Sequence, residues 1–164
     1  MKKIFALLFV STFLFTSCVN NDDDNVDFDT IGQTFEFTTN FTNANGFSDR
    51  FIFDRNIFDS DVVLVFRLDS SDAGIDVWEP LPTAPFFFFN DVTGAIEGFL
   101  TYRFNFTVRD VDVFLESDAP ELAEAEFTNN QTFRVVVVPS EFAQNPDINL
   151  LDIDEVSSAL NLQF

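Results

Sequence analysis

The 164-residue sequence contains no histidine, a single cysteine, one tryptophan and one tyrosine, and eight basic residues against 28 acidic ones. Each scarcity excludes a chemistry. One cysteine forms no internal disulfide, and without histidine no Cys/His zinc site can be assembled. Histidine triads and histidine general bases fall for the same reason. A formal net charge of −20 is opposite in sign to the basic footprint that phosphate backbones require, so nucleic acid is not an expected partner. What is abundant is apolar. Hydrophobic residues make up 46% of the chain and 25 of them are Phe, too many for a disordered acidic polypeptide. The expectation is one globular domain.

Lys2 and Lys3, the only lysines, precede a largely apolar run of twelve residues, 4–15. A helix of that length rises about 1.5 Å per residue and falls well short of a ~30 Å hydrocarbon core. The run therefore reads as a signal-peptide h-region rather than a spanning helix. Thr16, Ser17 and Cys18 follow it. The segment Phe15-Thr16-Ser17-Cys18 resembles the lipobox of bacterial lipoproteins, with Phe15 standing where that family most often has leucine. The resemblance implies cleavage after residue 17, a diacylglyceryl thioether on Cys18, and an acylated amine at the new N-terminus. The other reading is an ordinary cleaved signal that leaves Cys18 as a free thiol.

Residues 18–32 continue with Val-Asn-Asn-Asp-Asp-Asp-Asn-Val-Asp-Phe-Asp after the cysteine. This run is polar, acidic and without apolar periodicity, as expected of an extended, self-repelling tether. An Asp cluster at this place is similar to the export signals of surface lipoproteins in some Gram-negative bacteria; a plain solvated linker has the same composition. Removing 17 of 164 residues leaves 147, enough for one core. The remaining bases are six arginines against 28 acids, a balance of −22. Without lysine, Schiff-base chemistry and Ser-Lys dyads are unavailable to that chain.

From residue 33 to 164 the dominant pattern is period-two alternation. Phe35, Phe37 and Phe41 alternate with Glu36, Thr38 and Asn40, while Phe51 and Phe53 mark a second short strand. Leu100, Tyr102, Phe104, Phe106 and Val108 interleave with Thr101, Arg103, Asn105, Thr107 and Arg109. After a turn near Arg109-Asp110 the alternation resumes at Val111, Val113 and Leu115. Arg103 and Arg109 are placed to face acids across that hairpin. Two nearly continuous β-branched runs, 62–68 and 133–138, read as central strands covered on both faces. Asx- and Gly-rich turns fall at 43–46, 70–74, 90–94 and 129–130. The expected fold is all-β: an antiparallel β-sandwich of seven to eight strands, Ig-like or similar. Helix is confined to a weak candidate at 120–126, a turn from Ser140, and a short C-terminal helix capped by Asp154 and running to Leu160.

Several residues invite functional readings. Asp69, Asp72 and Asp76 place oxygens at near-alternate positions around Gly74, loosely like a calcium loop, but Pro80 stands where an EF-hand needs its glutamate. A plain turn between strands explains them equally and is the expectation. Asp147, Asn149, Asp152 and Asp154 form a second acidic group, read as a solvated loop and helix cap. Trp78, followed by Glu79-Pro80-Leu81-Pro82, is a recognition edge, a sugar-contacting loop or, as expected, a ring plugging one end of the sandwich at a strand exit. Phe86, Phe87, Phe88 and Phe89 place two rings on each face of a strand. Core burial of all four is the expectation; if one pair is exposed, it is the chain's best partner-binding candidate.

The segments 60–68, 78–82 and 133–139 are together similar to a group of small bacterial lipoproteins, a resemblance that carries fold and location but no activity. The functional expectation is a non-catalytic, lipid-anchored protein of the outer membrane, on its surface or periplasmic face, that acts by binding a protein or glycan partner or by structural contact. A calcium-dependent carbohydrate-binding module and a carboxylate-based hydrolase are the alternatives.

Overall fold

The alternating segments pair into two antiparallel sheets in a computed structural model, which describes residues 32–162. The expectations for residues 1–17, for Cys18 and for the acidic run to residue 31 lie outside the described residues. One sheet contains β1 (Gln33–Thr39), β8 (Gln131–Val138), β3 (Val62–Asp72) and β4 (Ile75–Pro80), in that spatial order. The other contains β2 (Ser48–Ile52), β7 (Asp110–Ser117), β6 (Ile96–Phe106) and β5 (Phe86–Phe89). Hairpins join β3 to β4, β5 to β6 and β6 to β7, and every other connection crosses between sheets. Strand β8 returns from the second sheet to lie between β1 and β3, a Greek-key arrangement.

Between the sheets the inward residues form one apolar layer. Val63 and Val65 of β3, Phe133, Val135 and Val137 of β8, and Leu100 and Tyr102 of β6 are buried there with Val111 and Val113 of β7. Aromatic rings dominate the packing: Phe41, Tyr102 and Phe133 meet with centroids 5.9–6.1 Å apart. Such offset and edge-on contacts are the favoured geometries of ring quadrupoles.

The β-branched runs at β3 and β8 are central strands buried on both faces, and what covers their outer face is the chain's own C-terminal segment. Phe66, Val136 and Val138 point away from β6 and β7 and pack with Val156 of α3 (Ile153–Leu160), together with Phe142, Ile148 and Leu150. The helix cap differs from the expectation. Asp152, not Asp154, accepts hydrogen bonds from the amides of Asp154 and Glu155, which puts Asp154 in the first turn. Two shorter helical turns, α1 (Ala125–Thr128) and α2 (Ser140–Ala143), flank β8.

The turn expected at 70–74 is shorter than its composition implies. Strand β3 continues to Asp72, and only Ala73 and Gly74 turn, with φ +51° and +83°, the primed geometry of a two-residue hairpin. Phe106, at the end of β6, is 44% exposed, so the apolar face frays into solvent there. Arg103 pairs with Glu116 across the β6–β7 hairpin, whereas Arg109 lies in the turn itself.

Candidate functional site

The four-Phe strand β5 is an edge strand, and its rings divide between two environments. Phe86 and Phe88 point inward and meet Phe127 of α1 at 5.4 and 6.4 Å. Phe87 and Phe89 point to the outside, 49% and 57% exposed, with their rings 6.5 Å apart. The expectation that all four are core is therefore corrected. The inner pair is held by Phe127, and a two-residue period leaves the outer pair no cover.

Backbone directions follow from the neighbouring strand. Phe99 donates its amide to Asp118 Oδ1 (2.8 Å) and accepts from Ser117 Oγ (2.6 Å), so its polar groups point toward β7. Phe87 is its partner on β5, and Phe86 and Phe88 pair with Leu100 and Gly98. In an antiparallel ladder this makes Phe87–Phe99 a non-hydrogen-bonded pair, with the Phe87 amide and carbonyl directed at the open edge. A bulge follows Phe88, and the Asn90 amide turns back to bond Ala95 (2.8 Å), so Phe89 shares the outward direction of Phe87.

A groove of about 480 Å³ runs beside this edge, walled by Phe86 to Phe89 on one side and by Leu122 and Phe127 on the other. Its polar lining is acidic: Asp91, Glu97 and Glu124. Asn90 shapes the adjoining turn by accepting from the amides of Val92 and Thr93 (3.0 and 2.9 Å), and its Nδ2 donates to Glu97 Oε1 at 2.7 Å.

Behind the groove lies a buried cation that composition did not announce. The Arg67 side chain points between the sheets, and the residue is 6% exposed. Its guanidinium lies 4.8 Å from the Tyr102 ring and 5.7 Å from the Phe86 ring, donates to Gln131 Oε1 (3.1 Å) and Asp69 Oδ1 (2.8 Å), and faces Glu79 at 3.5 Å. Tyr102 donates its hydroxyl to the Phe127 carbonyl at 2.6 Å, and Gln131 Nε2 donates to the Glu126 and Asn129 carbonyls. Burial pushes the Tyr102 hydroxyl up to about 12 from 10, partly opposed by the Arg67 charge. This cluster ties the 120–128 segment to the core and so holds Phe127 against β5. Arg67, Gln131, Leu122, Glu124 and Phe127 were not singled out from sequence; the lone tyrosine on an apolar face was their one available signal.

The remaining sequence candidates are not brought together. Cross-strand register pairs Ser71 with Asp76 and Asp72 with Ile75, so Asp72 and Asp76 lie on opposite faces of the hairpin, and Asp69 is engaged by Arg67. The hairpin register thus does not bring these three aspartates to one face. Among the described residues no group of three or more ligating side chains could hold a metal ion. In the C-terminal acidic group Asp152 accepts from the first amides of α3 and Asn149 from the Leu151 amide, while the neighbouring Glu155 accepts from the Asn149 amide. Trp78 sits within edge strand β4 rather than at a strand exit, and it plugs no end. It packs on the outer face of its sheet with Arg134 Cζ 3.9 Å from the ring. The two sheets separate it from Phe87 and Phe89.

Fold and edge together define an all-β sandwich that presents an uncovered aromatic strand beside an acidic groove. No protein-family model, curated protein or solved structure matches this chain.

Proposed function

We propose that the protein is a lipid-anchored, non-catalytic component of the bacterial cell envelope that works by contact, with β5 and its groove as the contact surface. The observation that carries the contact is the exposed Phe87–Phe89 pair on an edge strand whose backbone is open. Anchoring rests on the order of Lys2, Lys3, the apolar run 4–15, Cys18 and the acidic stretch behind it. Each methylene of an acyl chain contributes about 0.8 kcal/mol on burial, and two or three chains on Cys18 hold the sandwich at the membrane without a spanning helix. The acidic stretch keeps the domain clear of the bilayer by self-repulsion, at the outer surface or on the periplasmic face. The non-catalytic reading is supported by Asp152 and Glu155 in the concavity near α3, whose carboxylates accept from backbone amides.

Two measurements test the two halves. Cys18→Ala is expected to move the protein from the membrane to the soluble fraction; equal membrane association would overturn anchoring. A photocrosslinking phenylalanine analogue in place of Phe89 is expected to yield a discrete adduct in intact cells, and the same analogue in place of Thr38, on the opposite sheet, none. Equal adducts at both positions, or none at position 89, would overturn the contact surface.

A further inference from the structure

We infer that β5 is a strand-addition site, and that its occupant is an extended peptide segment of a partner in which apolar residues alternate with lysine or arginine. The inference deepens the contact reading above and rests on it.

The edges of the two sheets differ in how they are defended. Strands β1, β2 and β4 each carry charged residues: Glu36 on β1, Asp49 and Arg50 on β2, Asp76 and Glu79 on β4. Such charges are a common device against unwanted pairing. Among the described edge strands β5 alone carries none, and its sequence is the β-favouring Phe-Phe-Phe-Phe. Its outward amides and carbonyls at Phe87 and Phe89 are what an incoming strand requires, and strand addition draws its affinity from such main-chain bonds. The strand is short and bulged after Phe88, which limits the ladder to a brief segment and leaves side chains to set the choice of partner.

The groove supplies that choice. Alternate side chains of an added strand enter between Phe86, Phe88, Leu122 and Phe127, which accept apolar groups. The others meet Asp91, Glu97 and Glu124, and the exposed faces of Phe87 and Phe89 offer cations a further attraction. A second copy of this chain is disfavoured as occupant, because pairing β5 with itself would bring two acidic rims and two strongly negative molecules together. The acidic stretch after Cys18 is repelled for the same reason.

The test uses the full chain reconstituted in nanodiscs and three blocked synthetic peptides: one alternating lysine with valine and phenylalanine, one with glutamate in place of lysine, and the lysine peptide N-methylated at alternate amides. The lysine peptide is expected to bind at least about tenfold more tightly than either of the others, to weaken as salt rises, and to slow hydrogen exchange at the Phe87 amide. Phe87→Lys, a change at an exposed position, is expected to lower that affinity about tenfold with an unchanged thermal midpoint. Equal affinity for the lysine and glutamate peptides, undiminished binding of the N-methylated one, or protection confined to another strand would overturn the inference. Concentration-dependent dimerisation that protects the Phe87 amide without peptide would assign the site to a second copy and overturn the peptide occupant. A position-89 crosslink with no preference for the lysine peptide would sink this inference and leave the contact reading standing.

Discussion

Tyr102 is the only tyrosine of the chain, so its ionisation can be followed as a single phenolate signal. Burial holds its pKa near 12, above the ordinary 10, because a phenolate would lose its hydration between the sheets. A group whose folded pKa is raised contributes stability that is intact below pH 10 and is lost as pH climbs from 10 through 12. The loss is on the order of 2 kcal/mol. Denaturant unfolding at stepped alkaline pH is expected to show this decline in the parent protein, and Tyr102→Phe is expected to lack it. Tyr102→Phe also forfeits the hydroxyl bond to Phe127, at about 1 kcal/mol at neutral pH. The inward place of Tyr102 was legible in the alternation around it. That of Arg67 was not. Its charge falls near the end of an apolar run, and its partners Gln131 and Tyr102 come from strands far away in the chain, which local pattern cannot bring together.

Strands β3 and β8 could be read directly, because β-branched runs too short for buried helices fit few other structures. Strand β5 could not be read in the same way. Four identical residues carry no alternation, so which pair turns inward is decided by what stands opposite, here Phe127. A second determinant is Gly98, the partner of Phe88. A methyl group there would stand 2.6 Å from Ala119 Cβ and 3.0 Å from Asp118 Oδ1, so only glycine admits this close approach. Gly98→Ala is expected to cost about 1–3 kcal/mol in denaturant unfolding and to speed hydrogen exchange along β5 more than along β8. Unchanged stability and exchange would show that the 117–119 segment is not what braces the strand. The misplaced cap of α3 has a similar origin: several acids precede the helix, and only the geometry of the loop selects Asp152.

At the scale of the molecule, one sheet is covered by the chain's own C-terminal segment, while the other leaves an aromatic edge to solvent. The two-sheet architecture was legible because strand alternation and turn residues recur at sandwich spacing. The cover was not, since 140–162 shows little periodicity and packs through scattered residues such as Phe142, Ile148 and Val156. The proposed contact role assigns that uncovered edge to a partner. Mass spectrometry of the N-terminal peptide from native membranes tests the proposed anchor at its chemistry. The expected spectrum is that of a chain beginning at Cys18 with diacylglycerol on its sulfur and an acylated amine. An unmodified Cys18 thiol in that material would contradict it.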